Sequence, residues 1–103
     1  MEKSIIELDN GDVVGYDIDL GNASLILIKS GKAYVMCGYL NMDAANKFGD
    51  IAGKITGVKT IDDALNANII EISEEAKNKG LKIGMKARDF LNKLLESWLY
   101  GFI

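Results

Sequence analysis

Cys37 is the one thiol in the chain, and Gly38 beside it leaves the sulfur room to face a cleft, where Lys54 or Lys59 nearby would favour the thiolate. Against this, a lone cysteine in an apolar strand packs as a small core residue. The sequence also holds no histidine to activate it. The run AGKITGVKTIDDAL at 52–65 suggests different chemistry. Backbone amides at a helix start, flanked by Lys54 and Lys59, attract phosphate or carboxylate. The plainer reading is that Gly53 and Gly57 shape the backbone and Thr60 caps a helix. Asp17 and Asp19 project from one face of a strand with Glu7 expected across from them, and three carboxylates would suit a hard divalent cation. The same alternation describes the solvated side of a half-buried strand, so no metal is assigned. Arg88, with Asp89 next to it, is either a carboxylate clamp or a strut for the loop before it. A ligand is therefore sought where Cys37, Gly38, Asn41, Gly53, Lys59, Thr60 and Arg88 converge, and no catalytic set is assigned.

Composition narrows the classes. The chain of 103 residues is expected to form a single domain over 1–103 with one core. Its 49% hydrophobic and 26% charged content is an ordinary globular balance. No apolar run nears the roughly 18 residues that cross a bilayer, so no membrane partner is expected. The start, Met1-Glu2-Lys3-Ser4-Ile5, lacks the order of a secretory signal, and one cysteine fits a reducing compartment, so the expected location is cytoplasmic. Fifteen acidic residues against 12 basic ones give a net charge of −3 and a pI near 4.8, which does not suit nucleic acid. Walker and dinucleotide fingerprints are both missing, and no cofactor is expected.

The elements that would position these residues change character at Leu40. Before it, β-prone segments alternate with turns: 4–8, then the Asn10-Gly11 pair as the centre of a tight hairpin, then a strand with Val14, Tyr16, Ile18 and Leu20 on one face. Residues 23–28 are apolar on both faces, which calls for a central strand or one covered by another layer or subunit. Residues 33–40 follow a turn at 29–32, giving four antiparallel strands in a meander. After Leu40 the apolar period becomes helical. Asn41 caps a helix from Met42 to about Asp50 with Met42, Ala45 and Phe48 inward. A strand over 53–58 follows, and Thr60 with Asp63 forms a capping box for a helix to Asn66. A strand over 68–72 and a helix begun by Ser73-Glu74-Glu75 and closed at Lys79-Gly80 come next. A last helix from Met85 to about Leu99 carries Phe90, Leu91, Leu94, Leu95 and Trp98 on one face. The expected fold is α+β: a two-layer sandwich in which a mostly antiparallel sheet, the meander plus one or two further strands, packs against helices that include a long C-terminal one. The doubly apolar strand and the apolar ending at 98–103 predict a homo-oligomer.

The segment from Tyr34 to Asn41, the run 52–65, and Gly80 to Met85 with Arg88 beyond them together resemble the YunC-like family, small bacterial and archaeal proteins of uncharacterised function. The resemblance implies a two-layer α+β domain and supplies no activity. Its Cys-Gly pair falls on Cys37 and Gly38, its Ala-Gly opening on Ala52 and Gly53, and its Gly-Met and arginine on Gly84, Met85 and Arg88. The chain departs from the family at Asn41, where an aspartate is frequent, which weakens any acid or metal role there. It departs again at Ala87 and Asp89, which flank the arginine, and in a helix after Asn41 that is about one turn shorter, roughly 4 residues. The function expected is a homo-oligomeric small-ligand-binding or regulatory module for an anionic ligand. The alternative is a small enzyme acting on an anionic metabolite through Cys37 or a Lys/Asp pair.

Overall fold

The computed structural model describes residues 2–38 and 41–99, the last three by their backbone alone. Strands β1 (Glu2–Leu8), β2 (Gly11–Asp19), β3 (Ser24–Ser30) and β4 (Ala33–Met36) form the expected antiparallel meander. Helix α1 (Met42–Lys47) carries the chain to β5 (Ala52–Lys54), which runs parallel to β4. β6 (Glu71–Ile72) adds antiparallel to β5, so the strand order follows the sequence, β1-β2-β3-β4-β5-β6. Helices α2 (Ile61–Asn66), α3 (Glu74–Asn78) and α4 (Ala87–Leu99) complete the described chain. Among the described residues, no helix is long and apolar enough to cross a membrane.

The register explains the two faces. One face carries Val13, Ile26, Ile28, Val35 and Gly53, and it meets Phe90, Leu91 and Leu94 of α4 together with Ala64 and Leu65 of α2 and Ala76 of α3. Fully burying a ring such as Phe90 contributes about 1.5–3 kcal/mol, and this face holds most of the core. The opposite face carries Val14, Tyr16, Leu27, Tyr34, Met36 and Ala52, and among the described residues α1 covers it, through Met42 and Ala45. The sheet-and-helix sandwich therefore has a local third layer over β4 and β5.

Several expected boundaries and faces move. The first hairpin pairs Leu8 with Gly11, so its loop is Asp9-Asn10 and not Asn10-Gly11. Among the described residues only glycines take positive φ, which rules out a turn with positive φ at Asn10. On β2, Val14, Tyr16 and Ile18 share a face as expected, but the helix-covered face is the other one, with Val13 and Gly15. A Cβ on Gly15 would lie 2.9 Å from Ile61 Cδ1 and 3.0 Å from Ile6 Cδ1, so this face needs the smaller residue. Strand β5 ends at Lys54 rather than 58, because Gly57, with φ +72°, turns the chain away. The strand expected over 68–72 shrinks to β6: Ile69 gives its N–H to Met85 O at 2.8 Å and receives that of Gly84 at 2.8 Å. Helix α1 stops at Lys47 instead of Asp50, since Gly49 turns at φ +71°, and Phe48, expected inward, is 76% exposed. Helix α4 starts at Ala87, two residues after the expected Met85. The side chain of Trp98 and the apolar ending at 100–103 lie outside the described residues.

Candidate functional site

A concave feature with an apolar floor lies beside α1, on the sheet face that the other helices leave open. It is an open cleft of about 600 Å³. Leu27, Met36 and Ala45 form its floor, Phe48 stands at its lip, and Lys29, Lys32 and Asp50 bring charge to its walls. The local sequence builds it in steps. The tight Gly31 turn, at φ +59°, places Lys32 at the hairpin tip, and the β3–β4 register sets Lys29 directly opposite Tyr34. Asn41 starts α1 with its Oδ1 accepting the Asp43 N–H at 2.7 Å, and Ala44 and Ala45 present only methyl groups to the cleft, which leaves it wide.

Its electrostatics are uneven. The Tyr34 hydroxyl donates to Asp50 Oδ2 at 2.7 Å, which occupies the acid. Partial burial, then this hydrogen bond, then the aspartate's negative charge push the Tyr34 hydroxyl up to about 12, so it stays a neutral donor. Among the described residues neither Lys29 nor Lys32 has a carboxylate within 4.0 Å; the ion pairs found are Lys54–Glu71 and Lys77–Glu74, both at 3.8 Å. Two cationic heads without carboxylate partners, over an apolar floor and beside an exposed ring, suit an anion with a planar apolar part.

The residues singled out in the sequence fall elsewhere for the most part. Cys37 and Gly38 line a smaller cleft of about 350 Å³ with Ser24, Thr56 and Val58. Cys37 itself is buried, and its Sγ accepts the Ile26 N–H at 3.4 Å while its own N–H reaches Ile26 O at 3.2 Å, so the thiol finishes the β3–β4 ladder. No acid, lysine or histidine lines that cleft to serve as its base. Lys59 lines an adjoining hollow of about 600 Å³ that also carries Asp19, an acid that opposes an anion there.

Asn41 alone among the singled-out residues borders the cleft beside α1. Gly53 lies in the core, where an added Cβ would meet Ile69 Cδ1 at 2.9 Å and the Phe90 ring at 3.0 Å and 3.1 Å. Thr60 caps α2, its Oγ1 accepting the Asp63 N–H at 3.0 Å, and Asp63 Oδ2 accepts in return from the Lys59 N–H at 3.2 Å. Arg88 sits in the first turn of α4 and lines none of the three clefts. Glu7 pairs with Asp12 and does not face Asp17, which pairs with Glu2 and Ile26. Among the described residues no group of three acids, cysteines or histidines is placed to hold a metal.

Lys29, Lys32, Tyr34, Phe48 and Asp50 were not marked as site residues in the sequence. Lys29 and Lys32 read as turn residues, and Tyr34 and Asp50 meet only because α1 folds between them. The single available signal was strand alternation, which puts Leu27, Lys29, Tyr34 and Met36 on one face once the hairpin register is known.

Comparison with known proteins returns the same group from three directions. Residues 36–94 match the family described as domain of unknown function DUF1805. The uncharacterised protein YunC of Bacillus subtilis (strain 168) is 30% identical, over 77% of this chain and 82% of that protein. The crystal structure of TA1206, a protein of unknown function from Thermoplasma acidophilum, superposes with a TM-score of 0.85 at 45% identity, covering 90% of this chain and 91% of that one. The match runs from Met36, the last residue of β4, through α1, β5, α2, β6 and α3 to Leu94 within α4, and the chain belongs to the DUF1805 family.

Proposed function

We propose that the protein is a binding module for a small anionic ligand with a planar apolar part, held in the cleft beside α1. The observation that carries this reading is the pairing of an apolar floor, in a cleft of about 600 Å³, with Lys29 and Lys32, which have no carboxylate partner among the described residues. The anion would sit between the lysine heads, and its ring would lie against Phe48. Tyr34, kept neutral, would donate only if it left Asp50. The buried free thiol Cys37 supports a cytoplasmic setting.

A second reading, turnover of an anionic metabolite by a Lys/Asp pair, has one observation in its favour: Asp50 lines the same cleft as both lysines. It fits less well, because Asp50 already accepts from Tyr34.

Calorimetric titration with phenyl phosphate and with inorganic phosphate tests the binding reading. Phenyl phosphate is expected to bind at about 1 mM or tighter and inorganic phosphate more weakly, with Lys32→Ala and Phe48→Ala each weakening phenyl phosphate about five- to tenfold. Equal affinity in all three proteins, or no heat at about 10 mM ligand, overturns it.

A further inference from the structure

We propose that two copies of this chain join along the outer edges of their β1 strands, antiparallel about a two-fold axis through Ile5, so that the two sheets become one. β1 is the edge of the sheet, and among the described residues nothing pairs with its outer side. Edge strands are ordinarily blunted by shortness, proline, a bulge or charged side chains; of these β1 has only the charges Glu2, Lys3 and Glu7, and a second copy can pair Lys3 with Glu7. β6, the other edge, is two residues long; β1 is seven residues long, lacks proline, and pairs with β2 in unbroken register from Glu2 to Leu8. Ile5 at its centre is 72% exposed.

The register follows from the side chains. A two-fold axis perpendicular to the sheet keeps each copy's faces matched, so a residue must lie on the axis, and Ser4, Ile5 and Ile6 are the central choices. With Ile5 on the axis every β1 residue gains a partner. Lys3 of each copy then lies opposite Glu7 of the other, on the same face as the two Ile5 side chains. Centring on Ser4 sets Lys3 against Ile5, and centring on Ile6 sets Glu7 against Ile5, each a charge beside an apolar group at the centre of the interface; the Ile5 register confines such a pair, Glu2 against Leu8, to the two ends. A further feature selects the same register: within its own hairpin Glu7 lies directly opposite Asp12, a like-charge pair that Lys3 of a second copy would offset.

The interface does not depend on the ligand cleft, and it is tested on the full chain by sedimentation velocity across the micromolar range. A dimer is expected. Lys3→Glu alone and Glu7→Lys alone should each raise its dissociation constant about tenfold, and the two together should restore it to within about threefold, because the swap recreates both opposite-charge pairs. Lys3 and Glu7 are both exposed, so the reversals leave the fold intact. A chain that stays monomeric, or a dimer indifferent to both single reversals, overturns the proposal.

Discussion

At the scale of residues, the two glycines of the 52–65 run divide their work. Gly57 supplies a turn at φ +72° with open space around it, whereas Gly53 lets β5 approach the Phe90 ring. Gly53→Ala is therefore expected to destabilise by about 1–3 kcal/mol, read as a lower urea midpoint at unchanged slope, since the added methyl would crowd the fully buried Phe90 ring. That these glycines shape backbone was legible in the sequence; which one packs and which one turns was not, because the ring that decides it lies far along the chain. Tyr34 gives a second prediction. In the unfolded chain its hydroxyl titrates near 10, and in the fold at about 12. The folded value is raised, so the unfolded chain loses the proton first. The stabilisation is thus full below pH 10 and is lost as pH rises through about 12. Tyr34→Phe should lower stability by about 1 kcal/mol at pH 7 and flatten the alkaline decline, as seen in urea midpoints between pH 9 and 12.

At the scale of elements, two buried serines behave in opposite ways. Ser73 caps α3 and joins three segments: its Oγ accepts from Ala52 N–H at 3.0 Å and Ala76 N–H at 3.3 Å and donates to Asp50 O at 2.6 Å. Ser30, at the end of β3, keeps its Oγ buried without a hydrogen-bond partner among the described residues. Ser73→Ala should cost about 2–3 kcal/mol, while Ser30→Ala should be neutral or stabilise by up to about 1 kcal/mol, measured by the same denaturation. The helix caps Asn41, Thr60 and Ser73 were readable, because a cap is a local event of three or four residues. Strand ends were not. β6 is cut short because Ile69 bonds to Gly84 and Met85, and no pattern within 68–72 announces those partners.

At the scale of the whole molecule, the α+β sandwich followed from the change of period at Leu40, and the meander followed from turn spacing. What stayed hidden was the allocation of faces: residues 23–28 are apolar on both sides because Ile26 and Ile28 meet the α4 side while Leu27 meets α1. That split creates the cleft, since α1 is too short to cover β2 and β3 and leaves Phe48 at its edge. The candidate site was accordingly only slightly legible, through Asn41, because its lysines and tyrosine acquire a shared face only once the hairpin register is fixed.

The most direct test is an amide NMR titration of the isotope-labelled chain with phenyl phosphate. The largest shift changes are expected at Lys29, Lys32, Tyr34, Ala44, Ala45 and Phe48, and their loss is expected in a Lys29→Ala, Lys32→Ala double variant. Changes centred instead on Thr56 to Lys59, or none at all, would contradict it.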